Sequence, residues 1–152
     1  MYTFACLPVA IVDGERLGQT RSQMRMIAKK LDCYDIKNPM SCYQSDSIMD
    51  GWEGCLSASL GVVQLAGLLF QAAQQMEQNS SKFVSGEKAG PGDFCIASLW
   101  YNYVENELCK EEKRAELRVV FEAAPKVLHM VKSLREVQSF DDYLRERKSA
   151  AL

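Results

Sequence analysis

The chain has 152 residues, 47% of them hydrophobic and 25% charged, with a formal net charge of −2. That supplies apolar material for one ordinary domain, or one domain plus a fragment. A weakly acidic chain without a lysine-rich tail gives no electrostatic case for nucleic acid, which needs a basic face.

Leu7-Pro8-Val9-Ala10-Ile11-Val12 is an apolar run that reaches Asp13-Gly14. Asp-Gly predicts a two-residue hairpin turn, because a tight turn of the right twist needs positive φ. The predicted strands are residues 7–12 and 15–17. Residues 19–31 predict an amphipathic helix, with Met24, Ile27, Ala28 and Leu31 on its buried stripe and Arg21, Arg25, Lys29 and Lys30 facing solvent. Gln19 and Thr20 stand at its start, where open backbone N–H groups favour a carboxylate.

Residues 33–41 predict a linker, since Pro39 disfavours helix at Asn38. A domain boundary is placed there, dividing residues 1–38 from 39–152. All that follows is predicted helical. Residues 45–61 carry Ile48, Met49, Trp52, Cys55, Leu56 and Leu60 at helical spacing, and residues 62–78 continue with Leu65, Leu68, Leu69, Ala72, Ala73 and Met76. After a loop over residues 85–92, Gly90 is a permissible N-cap, Pro91 suits the first helical position and Asp93 can answer exposed N–H groups. Pro125 opens a further helix, and a short last one runs from Ser139 to near Arg147.

The six cysteines show neither C-x-x-C nor zinc-type spacing, and the chain has one histidine, His129. Several of the cysteines fall in apolar helical stretches, so free thiols in a reducing compartment are expected rather than disulfides. The most apolar segment, residues 60–70, is about eleven residues, too short to span a bilayer.

The order Pro, strand, Asp-Gly, strand, then Gln-Thr opening a helix resembles the late part of the thioredoxin-like half of glutathione S-transferases. So does Phe83-Val84-Ser85-Gly86 leading to Gly90-Pro91-Gly92-Asp93-Phe94, where the family has Ser/Thr-x-x-Asp-Phe and Gly90 replaces the hydroxyl. Pro125-Lys126-Val127-Leu128-His129-Met130-Val131 and Phe140-Asp141-Asp142-Tyr143-Leu144 are similar to the family's last two helices, in the sigma/alpha-type branch. The resemblance implies a mostly α fold: an all-helical C-terminal domain (39–152) preceded by a truncated thioredoxin-like remnant, a β-hairpin plus helix (1–38).

Only residues 1–6 precede Leu7, so the front of that fold is expected to be missing, together with the Tyr, Ser or Cys that activates the glutathione thiol. Tyr2 and Cys6 are not promoted to that role. By position, the resemblance implies that Leu7 and Pro8 offer backbone bonds to the cysteinyl part of glutathione, while Gln19 and Thr20 hold the γ-glutamyl carboxylate. Capping the helix is an equal alternative for Gln19 and Thr20. The family's partner-subunit Asp aligns with Gly54 here, and Asp46, Asp50 and Glu53 read better as a solvated helix face. Trp100, Tyr101 and Tyr103 read as core rather than groove, and His129 as packed or surface rather than catalytic.

The expected function is therefore a non-catalytic glutathione-transferase-like scaffold or interaction subunit of a larger assembly, with residual glutathione binding and no required cofactor. A protein partner or a homodimer is expected to cover the exposed strand edge, in the cytoplasm, another reducing compartment or an organellar assembly. The alternative is an active glutathione transferase or glutathione-dependent isomerase whose N-terminal catalytic segment is missing from this sequence, with glutathione as co-substrate. A third option is a free helical domain binding apolar ligands.

Overall fold

The computed structural model describes residues 8–146, which are mostly helical with one two-stranded antiparallel sheet. Strand β1 (Ala10–Val12) pairs with β2 (Glu15–Leu17) in the register Ala10↔Leu17, Ile11↔Arg16 and Val12↔Glu15. Asp13 and Gly14 both take positive φ, 54° and 83°, the signature of a type I′ turn. The expected strand over residues 7–12 is shorter than the pattern suggests: Pro8 and Val9 stand outside β1, and Leu7 lies outside the described residues.

Helix α1 (Thr20–Lys30) runs along the hairpin. Gln23 Nε2 donates to Pro8 O at 2.7 Å and to Leu17 O at 2.8 Å, joining the helix to the open end of both strands. One turn pair further on, Lys30 forms an ion pair with Asp13 in the turn. Residues 23 and 30 share a helix face, so the hairpin lies on that face. The opposite face, with Arg21, Met24, Arg25 and Ala28, meets the helical body.

This corrects the expected stripe of α1. Ala28 is buried and Met24 meets Cys95, but Ile27 is 40% and Leu31 67% exposed. Arg21 and Arg25 are half-buried rather than solvent-facing, because acidic residues of the next helix neutralise them. Hydrophobic periodicity sees apolar stripes and is blind to a face buried through ion pairs.

Helix α2 (Pro39–Ser57) begins earlier than the expected residue 45. Pro39 occupies the first helical turn, where a missing N–H costs nothing, and Asn38 Oδ1 accepts from Ser41 N at 3.1 Å as the N-cap. The linker therefore shrinks to a few residues. Helix α3 (Val62–Gln78) matches its expected bounds.

Helix α4 (Pro91–Leu99) lies at the centre, with seven of its residues buried, against α2 and α6 (Pro125–Ser133). It continues as a π-helical turn, Trp100–Val104. Helices α5 (Glu111–Glu122) and α3 close the other side, and α7 (Gln138–Glu146) packs back through Phe140 onto Phe94 and Tyr101. The core contains Ile48, Leu65, Leu69, Ile96, Leu99, Phe121 and Met130, each at most 1% exposed. Gly92 lets α2 and α4 approach: a Cβ there would stand 3.2 Å from Ser45 O and 3.3 Å from Ile48 Cβ.

The start of α4 is fixed by Asp93, which is fully buried. Its carboxylate accepts from Gly90 N at 2.8 Å and from Val84 N at 2.9 Å, so it caps the helix and ties down the preceding loop. Gly90 supplies no capping hydroxyl, and packing explains the departure. A Cβ at Gly90 would lie 3.2 Å from Cys33 O and from Ser85 Oγ.

Among the described residues, no helix is long and apolar enough to cross a membrane.

Candidate functional site

The hairpin leads into α1 through Gln19, and the backbone there departs from ordinary geometry. Gln19 has φ 65° and ψ 105° and makes no side-chain capping bond. Positive φ in a non-glycine residue costs about 1–3 kcal/mol and persists only where surrounding structure enforces it. The helix-capping reading of Gln19 thus loses its simplest support, while the strain marks the position as a candidate for ligand contact.

Gln19 and Thr20 line a cleft of about 400 Å3 with Arg21, Ser22, Arg25, Trp52, Glu53 and Leu56. One wall is the first turn of α1, whose leading amides have no intrahelical acceptor. The other wall is α2. Trp52 is held by a 3.0 Å hydrogen bond from its Nε1 to Ser98 Oγ on α4.

Charge joins the walls. Arg21 pairs with both Asp50 and Glu53, and Arg25 Nε donates to Asp46 Oδ1 at 2.8 Å. Tyr34 Oη adds a 2.9 Å bond to Asp46 Oδ2, and burial together with that carboxylate pushes the phenol well above its ordinary range. Asp50 and Glu53 are exposed, yet they are partners of α1 rather than a purely solvated face. The cleft accordingly presents amide and hydroxyl donors on the α1 side, while Arg21 and Arg25 are engaged by carboxylates of α2 and Trp52 supplies an indole face. Amide and hydroxyl donors at a helix start suit a carboxylate-bearing ligand.

The other sequence candidates fall elsewhere. Pro8 does not line the cleft, and its carbonyl is taken by Gln23. Leu7, Tyr2 and Cys6 lie outside the described residues. Trp100 and Tyr101 are core residues, with Tyr101 Oη donating to Val131 O at 3.2 Å, and His129 is exposed on α6. Among the described cysteines all are free thiols. Cys55, Cys95 and Cys109 are buried, whereas Cys33, on the linker, and Cys42, in the first turns of α2, are half-buried. Burial pushes the Cys95 thiol up to about 12, which makes it a poor nucleophile. Among the described residues no group of three or more His, Cys, Asp or Glu could hold a metal ion.

Arg21, Arg25, Trp52 and Glu53 were not legible as one site. The available signal was complementary charge: basic residues at positions 21 and 25 of one helix against acidic ones at 46, 50 and 53 of the next.

No protein-family model matches the chain, and neither the curated proteins nor the solved structures give a match.

Proposed function

We propose that this chain is a glutathione-transferase-like protein that acts, in this form, as a non-catalytic interaction subunit. Its N-terminal hairpin and helix are the surface that a protein partner covers. The observation that carries this reading is the unfinished hairpin layer. Ile11 of β1 is 68% exposed, and α1 leaves Ile27 and Leu31 exposed beside it. A two-stranded sheet is marginal in water, and an apolar edge that no strand among the described residues covers invites another strand.

The resemblance supports the family side of the reading on three points: the Asp-Gly hairpin, the strained Gln19 with Thr20 at a cleft, and Asp93-Phe94 opening a buried central helix. Residual glutathione binding follows from the second. Gln19, Thr20 and the first amides of α1 would hold the γ-glutamyl carboxylate, and the backbone of Leu7 would meet the cysteinyl part. No thiol-activating residue is assigned.

Amide hydrogen exchange tests the interaction reading. In the assembly purified from its source, the Ile11 amide is expected to be protected. A freely exchanging Ile11 amide in that assembly would refute it. Calorimetric titration of glutathione against wild type and Gln19→Ala tests the cleft, and binding unchanged by the substitution would remove the site assignment.

The cleft also favours a second reading, an active glutathione transferase or glutathione-dependent isomerase whose catalytic segment lies outside this sequence. Intact mass separates the two. A natural polypeptide of 17.1 kDa excludes the second reading, and one about 5–6 kDa larger, roughly fifty more residues of an ordinary domain, favours it.

A further inference from the structure

We infer that the hairpin and α1 form one unit fastened to the helical body by a charge latch, Arg21 and Arg25 against Asp46, Asp50 and Glu53. Releasing the latch swings the unit off α2 and opens the cleft between them. The inference concerns the chain by itself and stands apart from the interaction reading above.

The unit holds together without the body. Gln23 Nε2 ties α1 to the strand ends through Pro8 O at 2.7 Å and Leu17 O at 2.8 Å, and Lys30 is paired with Asp13 in the turn. These contacts lie within residues 8–30 and survive separation from α2.

Its attachment to the body is of a different kind. Among the described residues, the main apolar core, from Ile48 to Leu134, takes no side chain from the hairpin or α1. Ala28 is buried, and Met24 Sδ stands 3.9 Å from Cys95 Sγ of α4. Beside this apolar contact, charge does the fastening. Arg21 and Arg25 stand at i and i+4 on α1, and Asp46, Asp50 and Glu53 at i, i+4 and i+7 on α2, so each set forms one stripe. The stripes face each other: Arg21 pairs with Asp50 and Glu53, and Arg25 with Asp46 at 2.8 Å.

Two properties make this attachment releasable. Every member of these pairs is partly exposed, so mobile ions reach and screen them. Separation would also leave three carboxylates along one stripe of α2 with no counter-charge, and like charges at i, i+4 repel. Salt weakens the attraction in the docked state and the repulsion in the released one, and both changes favour release.

The linker supplies the hinge. Tyr34 Oη donates to Asp46 Oδ2 at 2.9 Å, and Cys42 Sγ donates to Asp35 O at 3.2 Å, which holds the chain against α2 from residue 34 onward. The rotation therefore falls to residues 31–33. Gln19 and Thr20 travel with the unit while Trp52 stays on the body, so the walls of the cleft part when the latch opens.

Salt titration provides the test. Between about 10 mM and 1 M NaCl the screening length falls from about 30 to about 3 Å. Three partly exposed ion pairs of ordinary strength shift the docking equilibrium by about tenfold. Amide exchange at residues 24–30 is accordingly expected to be roughly tenfold faster in high salt, with amides of α3 and α6 changing by less than about twofold. Alkylation of Cys95 by iodoacetamide should accelerate in parallel, because Met24 no longer covers it, while the buried Cys55 and Cys109 stay slow. The double variant Arg21→Gln, Arg25→Gln should exchange fast at low salt and respond little to more. If that variant fails to fold, the wild-type salt series decides alone. Wild-type α1 amides and Cys95 that ignore salt, or that move in step with α3 and α6, would overturn the latch. So would a folded double variant that keeps the wild-type rates and salt response. Protection of Ile11 in the source assembly is read separately, so the latch can fail while the interaction reading stands, and the reverse.

Discussion

Asp93 gives the sharpest single-residue prediction. Its carboxylate is buried and satisfies the backbone N–H groups of Val84 and Gly90 at 2.9 and 2.8 Å. In Asp93→Ala both donors lose their acceptor inside the protein. A buried donor left unpaired costs about 1–3 kcal/mol, so the expected loss is about 3 kcal/mol once release from carboxylate desolvation is counted. For a chain of this size that lowers Tm by roughly 6–12 °C.

The pH dependence sharpens the test. Burial pushes the folded Asp93 carboxyl up to about 6, against the opposing pull of the backbone N–H groups of Val84, Gly90 and Asp93 itself. The ordinary value is 3.8. The folded state therefore holds the proton more tightly than the unfolded chain. The stabilisation this brings is complete below pH 3.8 and is lost as pH rises through about 6. Urea unfolding followed by tryptophan fluorescence at several pH values, compared with Asp93→Asn, isolates the effect. The stability difference, wild type minus variant, should fall between pH 4 and pH 7 by an amount on the order of 3 kcal/mol. A difference that rises with pH would refute the reasoning, since it would mean that the two amides hold the carboxylate ionised more strongly than burial opposes it.

Gln19→Gly should stabilise the fold by about 1 kcal/mol, because glycine accepts the positive φ without strain, while weakening glutathione binding; thermal melts and calorimetry read the two effects separately. Gln23→Leu removes the two bonds to Pro8 and Leu17. It should loosen the hairpin by about 1–3 kcal/mol, seen as faster amide exchange at residues 10–17 with slower change in α4. Gly92→Ala should cost about 1–3 kcal/mol by urea unfolding, since Ser45 O belongs to helix backbone and cannot move aside freely.

Local chemistry was the most legible part of the sequence. The Asp13-Gly14 turn, the bounds of α3 and the role of Asp93 all follow from contacts within a few residues or from simple periodicity. The start of α2 was misplaced because Pro39 was read as a stop, although the same residue is favoured in a first turn behind an Asn cap. The inner face of α1 was misread because Arg21 and Arg25 are covered through charge. No pattern of apolar residues records that Asp46, Asp50 and Glu53 lie across from them. At the cleft, Gln19 and Thr20 were found from their place before a helix. Trp52 and Glu53 reach them only because α1 and α2 pack together, and the strain at Gln19 is a backbone property that composition does not carry.

The central claim is that the N-terminal hairpin is completed by another polypeptide. Residue-resolved hydrogen exchange at the Ile11 amide, in the assembly as purified from its source, addresses it most directly. Exchange slowed to the level of the β1–β2 ladder is the predicted result. Exchange at the rate of an unprotected peptide would contradict the account.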